Sequence, residues 1–456
     1  MTVTISENTV VSRAITTSSY SEHLNDKLCF YDGLMEEFGY TVMVIPSGIP
    51  KQVYWDDNPY AFKVNVHFKA FVPLCDVPNS YIIYIPGQKP LLVFYQPEDY
   101  WHVVPTNPAG VWVDCFDIKT VSGKNDWQSF LPKNRERLAW IGEPQVELAA
   151  LNIDIVNPKK LTDPIHYNRA YKSDYEIACL RQANLLAAKG HLAAKEAFYN
   201  GSSELEIHIA YLLASKQKEE ELPYGSIIAL NNHGAILHYT GLSRERLDKQ
   251  NTHSFLIDAG ATFHGYCSDI TRTWSFVKDE FSELIDAFDI LQQDLIKDLA
   301  PNKSYIDLHI NTHLKIAELL KAMDFITCDP QTALERGITS TFYPHGLGHL
   351  LGLQVHDIAG HQINANGELK SPPKAHPFLR LTKTLEPRFC ITMEPGLYFI
   401  DILLNKIKHT ESGKLINWTK VEEFKKYGGI RIEDDVIIHD QSVENLSRDA
   451  FAQLVV

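Results

Sequence analysis

Five acidic or imidazole side chains, far apart in the chain, constrain its fold more than any other feature of the sequence. They are Asp258, Asp269, His349, Glu394 and Glu433. Each lies in a short strand-like run or a tight bend, where a side chain can be held rigidly. An unpaired buried carboxylate costs several kcal/mol or more, and no Lys or Arg is repeated beside these acids. A divalent metal centre, with a pair of ions, is the simplest source of the positive charge that they require.

Two of the acids lie in segments that are typical of neighbouring β-strands. Asp258 ends an apolar run, and Asp269 lies in a run rich in β-branched and aromatic residues. Gly260 and Gly265 stand between the two runs. The pattern therefore predicts an antiparallel pair of strands in which Asp258 and Asp269 face each other.

Length and composition indicate a two-domain globular protein. The chain has 456 residues, of which 45% are apolar and 22% charged. The net charge of -14 argues against non-specific binding to nucleic acids, and no apolar stretch approaches the roughly 20 residues that span a membrane. The N-terminus lacks the pattern of a secretory signal, and seven scattered cysteines fit reduced thiols. We therefore expect a cytoplasmic protein with no nucleic-acid or membrane partner.

Helical and strand patterns divide the chain into an α/β N-terminal domain and a larger second domain. We expect a flexible tail over 1–19, the N-terminal domain over 20–165 and the catalytic domain over 166–456. The first domain is predicted to contain a helix over 20–40 and strands over 41–45, 70–74, 80–85, 91–95 and 140–142. The second is predicted to contain helices over 172–198, 204–218 and 281–299, and a polar, proline-containing segment over 359–388 that is a lid or an insertion. Ser173 and Glu176 have the spacing of a capping box.

The segments around the five residues resemble the pita-bread metallopeptidases, the family of methionine aminopeptidases, Xaa-Pro aminopeptidases and prolidases. The order Asp, Asp eleven residues later, His, Glu, Glu matches that family's dinuclear site. The segments 376–380 and 392–399 are most similar to the bacterial Xaa-Pro dipeptidases, some of which are also called organophosphorus acid anhydrolases. The resemblance implies an α+β catalytic domain of the pita-bread, creatinase/aminopeptidase-like type after the α/β domain.

The resemblance also implies two divalent metal ions per subunit, with Mn²⁺ as the suggested ion, and a bridging hydroxide as nucleophile. It assigns the bridging positions to Asp269 and Glu433, one ion to Asp258, and the other ion to His349 and Glu394. Glu394 is expected to carry a proton from the nucleophilic water to the leaving amine as well. Ligand chemistry alone also admits Zn²⁺, Co²⁺ and Fe²⁺.

Three further histidines and one arginine are candidates for contacts with the substrate. The resemblance places His238, His345 and His356 around the scissile carbonyl, the developing oxyanion and the proline end. Arg431 stands two residues before Glu433, on the same face of a strand. Either it clamps a substrate carboxylate or it only neutralises the acidic cluster, and we expect the clamp.

The remaining pocket positions also follow from the resemblance. Five of them would form the substrate pocket within one chain: Tyr224, Leu237, Tyr305, Val355 and Leu379. Asp56 and Trp101 match residues that in relatives close the pocket from the partner subunit, although Asp57 is an alternative to Asp56. This transfer implies a homodimer whose pocket excludes long peptides.

These residues together predict an Xaa-Pro dipeptidase that hydrolyses dipeptides with a C-terminal proline. A side activity on organophosphate triesters is expected by analogy, because a tetrahedral phosphorus ester resembles the transition state of peptide hydrolysis. Two alternatives remain: an Xaa-Pro aminopeptidase that accepts longer peptides, and a pita-bread protein that has lost catalysis and serves as a binding module.

Overall fold

The N-terminal part of the computed structural model, which describes residues 15–133 and 135–454, is built on one mixed sheet of six strands. Its strands are β1 (Val42–Pro46), β2 (Tyr81–Tyr84), β3 (Leu91–Tyr95), β4 (Asp117–Val121), β5 (Leu138–Trp140) and β6 (Ile155–Val156). Its helices are α1 (Thr17–Phe38), α2 (Val66–Lys69) and α3 (Lys159–Asn168). The strand order is β4-β3-β2-β1-β5-β6, with antiparallel pairs between β1, β2 and β3 and parallel pairs elsewhere.

Local capping signals set the ends of the first helices. A capping box between Thr16 and Ser19 begins α1, and Gly39 in the left-handed conformation ends it. The helix therefore includes residues 17–19 of the predicted tail, while residues 1–14 lie outside the described residues. The strand predicted over 70–74 is wrong, because the Asn65 side chain accepts a hydrogen bond from the His67 amide and starts α2 just before it.

The second part of the chain surrounds several small sheets with helices. The helices are α4 (Asp174–Tyr199), α5 (Glu204–Ser215), α6 (Glu280–Lys297), α7 (Tyr305–Ala322), α8 (Pro330–Glu335), α9 (Ile338–Phe342), α10 (Asp401–Lys408), α11 (Trp418–Phe424) and α12 (Leu446–Leu454). The strands are β7 (Ile227–Leu230), β8 (Ser254–Asp258), β9 (Thr262–Phe263), β10 (Tyr266–Cys267), β11 (Thr271–Ser275), β12 (Cys390–Met393), β13 (Gly396–Tyr398), β14 (Gly429–Arg431), β15 (Asp434–Ile438) and β16 (Val443–Asn445). The predicted capping box at the start of α4 is confirmed, since Ser173 and Glu176 exchange hydrogen bonds.

Strand pairing brings distant parts of the chain together at one place. Strands β8 and β11 are antiparallel, as predicted, but Asp258 lies opposite Thr271 and not opposite Asp269. The short hairpin of β9 and β10 occupies the connection, so β11 begins two residues after Asp269. Thr271 forms a further bridge to Glu433, between β14 and β15. This bridge joins two sheets beside the acids. One sheet consists of β7, β8 and β11, and the other of β12, β15 and β16.

The long segment 359–388 carries no helix or strand, in agreement with its proline content. It is attached to the rest of the domain by isolated contacts such as the bridge between Thr384 and Ser304. Within the described residues, no helix combines the length and the apolar character that crossing a membrane requires.

A buried ion-pair network attaches the C-terminal helix α12 to strand β15. Asp434 is completely buried and lies 2.6 Å from an Arg272 nitrogen and 2.7 Å from an Arg448 nitrogen. Burial alone would raise the pKa of Asp434, but the two guanidinium groups outweigh burial and lower it to about 2. The carboxylate is therefore ionised and joins β11, β15 and α12.

We predict that Asp434→Ala lowers the free energy of unfolding by about 3–5 kcal/mol, because it leaves cations buried without their partner. Chemical denaturation followed by circular dichroism measures the loss. The control is Asp294→Ala, which removes an exposed ion pair with Lys297 and is expected to have a much smaller effect, because solvent screens such pairs. Equal effects of the two substitutions would contradict a structural role of the network.

Candidate metal centre and substrate pocket

The structure places the five predicted ligands on the wall of one cavity of about 600 Å³. Strand ends position three of them: Asp258 ends β8, Glu394 directly follows β12, and Glu433 lies between β14 and β15. Asp269 precedes β11, and His349 lies in the loop whose next residue bridges to β12. Residues that are up to 175 positions apart in sequence, from 258 to 433, thus converge in space.

The imidazole lies at the centre of the acidic group. His349 Nε2 is 3.3 Å from Asp269 Oδ2 and 3.6 Å from Glu394 Oε1. One ligand atom each of Asp269, His349 and Glu433 lies within 4.8 Å of the others. His349 Nδ1 donates a hydrogen bond to the Leu350 carbonyl at 3.0 Å, which directs the lone pair of Nε2 towards the acids, as in metal-binding histidines.

Neighbouring hydroxyl groups hold the carboxylates in place. Thr271 Oγ1 donates to Glu433 Oε2 at 2.6 Å. The Tyr224 hydroxyl lies 2.7 Å from Asp258 Oδ1 and 2.5 Å from Asp269 Oδ1. Because a phenol carries one proton, it can donate fully to only one of these two oxygens at a time. The pair of aspartates is therefore left in need of further positive charge.

The pKa shifts of Asp269, Glu433 and Glu394 also indicate that the acidic cluster lacks positive charge. Burial, and then the charge of Asp258, raises the pKa of Asp269, while burial and Asp269 raise the pKa of Glu433. Burial raises the pKa of Glu394 to about 7, although His349 opposes this shift. Burial also lowers the pKa of His349, so its imidazole is neutral. Buried, mutually repelling carboxylates beside a neutral imidazole are a donor set that fits hard divalent cations.

The guanidinium of Arg431 is held by protein groups at the cavity wall. Its nitrogens donate to Asp258 Oδ2 at 2.7 Å, to the Tyr398 hydroxyl at 2.8 Å and to Thr271 Oγ1 at 3.2 Å. These contacts use three of the five N–H groups of a guanidinium. The ion pair with Asp258 supports a role in neutralising the acidic cluster, and the expected clamp at Arg431 stays a prediction.

The three histidines predicted to contact the substrate all line the cavity, namely His238, His345 and His356. His345 Nδ1 lies 2.8 Å from the Gly346 carbonyl, and its Nε2 lies 2.8 Å from the Tyr398 hydroxyl. Burial lowers the pKa of His345 and of His356 to about 3. The His356 ring stands perpendicular to that of His349, with 4.6 Å between the ring centroids. A neutral imidazole carries one N–H, which His345 donates to the Gly346 carbonyl, whereas His356 can donate its N–H to a polarised oxygen without adding charge.

Three of the five predicted pocket residues line the cavity, namely Tyr224, Leu237 and Val355. Tyr305 and Leu379 do not, because both are buried in the core. The Tyr305 hydroxyl donates to the Thr392 carbonyl at 2.9 Å, so this residue supports β12 from behind.

The two residues expected to act from a partner subunit lie on the exposed surface of the N-terminal domain. Asp56 accepts hydrogen bonds from the amide and the side chain of Asn58, and Trp101 is 78% exposed. Neither lines the cavity of its own chain.

Sequence reasoning missed Arg380 and Phe378, which reach the cavity from the segment 359–388. Arg380 is exposed, and its side chain has no hydrogen bond or ion pair with any described residue. Its charge adds to burial in lowering the pKa of His349 and His356. The signal that would have found Arg380 is a cation on a polar segment that was expected to be a lid or an insertion.

Comparisons with known proteins cover almost the whole chain. Residues 18–167 match the family model described as Xaa-Pro dipeptidase, N-terminal domain, and residues 178–440 match metallopeptidase family M24. The Xaa-Pro dipeptidase of Pseudoalteromonas haloplanktis is 47% identical over 94% of this chain and 98% of its own length. That of Stenotrophomonas maltophilia is 46% identical over 95% of this chain and 97% of its own length.

Two solved structures with the same fold are structures of aminopeptidases. A structure of the aminopeptidase PepP of Pseudomonas aeruginosa has a TM-score of 0.71 and 19% identity, over 97% of this chain and 98% of that chain. A structure of aminopeptidase P from Escherichia coli with the inhibitor Pro-Leu has a TM-score of 0.70 and 20% identity over the same shares. At this level of identity the likeness concerns the fold alone.

We predict that Glu394→Gln stabilises the metal-free protein at pH 8, because it removes an ionised carboxylate from a buried acidic cluster. The pKa of Glu394 rises from 4.5 to about 7 on folding. Between these values the folded state binds more protons than the unfolded state, so the wild type loses stability as pH rises. The advantage of the variant should therefore grow from pH 4.5 to 7 and then stay constant.

Thermal unfolding of both chelator-treated proteins across this pH range measures the effect. Added divalent metal should reverse the order, because the wild type then gains a ligand that the variant lacks. The matched control is Glu411→Gln, whose side chain is exposed beside Lys414. A difference between wild type and Glu394→Gln that does not change with pH would contradict the prediction.

Proposed function

The chain belongs to metallopeptidase family M24, and from this premise we propose that it is an Xaa-Pro dipeptidase, which hydrolyses dipeptides with a C-terminal proline. The observation that carries the proposal is the convergence of four carboxylates and His349 on one cavity. Relatives named Xaa-Pro dipeptidase align along nearly the full chain at 47% and 46% identity. This agreement supports the substrate class.

The two family models also support the proposed domains over 20–165 and 166–456, because the first model ends at 167 and the second begins at 178.

We infer that two divalent ions, with Mn²⁺ as the proposed metal, are held by the five ligands. Asp269 and Glu433 would be shared between the ions, Asp258 would serve one of them, and His349 and Glu394 the other. When bound, the metals would lower the pKa of a water molecule and so supply the nucleophile at neutral pH. The preference for Mn²⁺ rests on the excess of carboxylate oxygens over imidazole nitrogen.

Glu394 is the proposed proton carrier. Its carboxylate lines the cavity and would accept a proton from the attacking water and release it again. The acceptor of that proton is the leaving nitrogen of proline, a secondary amine that departs only after protonation. The Thr392 hydroxyl donates a hydrogen bond of 3.4 Å to Glu394 Oε1 and helps to hold the carboxylate in place.

The three cavity histidines are proposed to contact the substrate or to hold the groups around it. His345 is already held by Tyr398, which in turn accepts a hydrogen bond from Arg431. His238 and His356 line the cavity and are proposed to contact the scissile carbonyl and the proline end. Donors fixed before the substrate arrives stabilise negative charge as it develops.

Arg380 is proposed, beside Arg431, as a clamp for the free carboxylate of the dipeptide. It lies at the cavity on the segment 359–388 and has no partner among the described residues. A planar guanidinium binds a carboxylate through two parallel hydrogen bonds. A cation placed to meet the C-terminus of a dipeptide favours dipeptides over longer peptides, which carry an amide at that point.

We predict that Arg380→Gln lowers kcat/KM for Gly-Pro roughly 10- to 100-fold, since a hydrogen bond to a charged group contributes about 1.5–3 kcal/mol. Gly-Pro-amide, which has no carboxylate, should be affected far less. Steady-state kinetics with both substrates measure the difference, and Lys374→Gln on the same segment is the control. An equal loss for the two substrates would show that Arg380 does not act as the clamp.

Further assays distinguish two alternative functions and one side activity from the proposed function. An Xaa-Pro aminopeptidase would cleave Ala-Pro-Ala at least as well as Ala-Pro, which the unpartnered Arg380 disfavours. A binding module without catalysis is disfavoured because all five ligand positions retain metal-binding side chains. The proposed side activity on organophosphate triesters would appear as metal-dependent release of nitrophenolate from a model ester.

We also propose that the protein is a homodimer that works in the cytoplasm. Large aromatic side chains are exposed on the N-terminal domain, among them Trp55 (88%), Tyr100 (88%) and Trp101 (78%). Exposed aromatic residues are enriched in protein interfaces, which supports pairing through this domain. All seven cysteines lie in the described part of the chain and are unpaired, which supports a reducing compartment.

We predict that Trp101→Ala shifts the protein from dimer towards monomer, because it removes a large apolar contact from the proposed interface. Sedimentation velocity at several protein concentrations measures the shift. KM for Gly-Pro should rise in parallel, although Trp101 does not touch the cavity of its own chain. Leu213→Ala, which alters another exposed apolar side chain, is the control. A dimer unchanged by Trp101→Ala would contradict the proposed role.

A further inference from the structure

A cluster of three histidines lies apart from the five-ligand centre. His309 and His313 stand one helical turn apart on α7, so both side chains project from the same face. His376 packs against them from the segment 359–388. One ring nitrogen of each residue lies within 4.8 Å of the others, and the three pairs of ring centroids are 4.5 to 4.7 Å apart.

We propose that His309, His313 and His376 form an additional metal site for a borderline cation such as Zn²⁺, which ties the segment 359–388 to α7. This site is independent of the proposed peptidase function and takes no part in its chemistry.

The distances fit tetrahedral coordination. His309 Nε2 and His313 Nε2 are 3.3 Å apart. Two nitrogens that each lie about 2.0–2.1 Å from a tetrahedral zinc ion are separated by about 3.4 Å. His313 Nδ1 is 3.0 Å from Thr339 Oγ1, and a metal-binding imidazole commonly makes such a hydrogen bond with its second nitrogen.

The buried Nδ1 of His309 has no hydrogen-bond partner among the described residues, and neither has the hydroxyl of the nearby Tyr343. If His309 Nε2 donates to His313 Nε2, the Nδ1 atom of His309 is an acceptor without a donor. If His309 Nδ1 carries the proton, Nε2 presents its lone pair to the cluster and can accept from His313 or bind a cation. With a cation on both Nε2 atoms, His313 Nδ1 would carry its proton and donate to Thr339 Oγ1.

Burial keeps these imidazoles ready to bind metal. The side chains of His309 and His313 are both about 1% exposed. Burial, and then the neighbouring histidines, lowers the pKa of His309 to about 2 and that of His313 to about 3. Both rings are therefore neutral at physiological pH, and neutral imidazole is the form that coordinates metal.

The ligand type separates this cluster from the five-ligand centre. Three imidazoles without a carboxylate favour Zn²⁺, Co²⁺, Ni²⁺ or Cu²⁺ over Mn²⁺, which prefers oxygen. Three protein ligands leave one tetrahedral position for water. His376 stands two residues before Phe378 and four before Arg380, both of which reach the catalytic cavity. A metal on the cluster would restrain the segment that carries them.

The test measures the number of zinc ions bound per protein chain. Chelator-treated wild type, His376→Ala and His309→Gln are dialysed against Zn²⁺, and bound metal is measured by mass spectrometry. The wild type should retain about one zinc ion per chain more than either variant. His361→Ala, a control on the same segment outside the cluster, should match the wild type. Equal counts in the wild type and His376→Ala would overturn the proposal and leave a hydrogen-bonded histidine cluster.

Two additions make the test independent of folding and of the catalytic centre. The same comparison in an Asp269→Asn background, which impairs the five-ligand centre, should still show the loss caused by His376→Ala. Hydrogen exchange should show that Zn²⁺ protects backbone amides over 370–382 in the Asp269→Asn protein, but not after His376→Ala is added. Protection that is equal in both proteins would also overturn the proposal.

Discussion

Mutual repulsion among four carboxylates, two of them buried and two half-buried, is the constraint on which the catalytic domain depends. Asp258, Asp269, Glu394 and Glu433 share one cavity wall, and separating them would be the favourable response of a flexible chain. Strand pairing prevents this, because Thr271 is paired with Asp258 on one side and bridged to Glu433 on the other. The apolar core, the ladder hydrogen bonds and Arg431 thus hold the acids in an arrangement that only further positive charge makes favourable.

The sequence predicted the site and the elements correctly where a reactive side chain or a capping pair stood in a recognisable local pattern. The acids and His349 could be recognised because each stands in a strand-like or glycine-containing segment, where an unpaired charge is unexpected. The helix over 172–198 was predicted because Ser173 and Glu176 form a local capping box that needs no tertiary context. Local signals of this kind survive folding, because they depend on residues a few positions apart.

The rest could not be predicted because it depends on side-chain direction and on distant partners. The strand periodicity placed Arg431 on the face of Glu433, but only the fold shows that its nitrogens are engaged by Asp258, Tyr398 and Thr271. Tyr305 has a residue type suited to a pocket, yet it packs behind β12. Strands β4 and β6 were missed because both are edge strands of the six-stranded sheet, without the buried apolar run that marks the central strands.

The cavity is built from two structurally different parts. Its inner wall consists of strand ends joined by hydrogen bonds, including the connection from Arg431 through Tyr398 to His345. Its rim includes Phe378 and Arg380 from a segment without regular structure. Insertions, deletions and exchanges in such a segment leave the strand register untouched. Lineages can therefore diverge in the peptides they accept by remodelling the rim, while the hydrolytic apparatus is inherited unchanged.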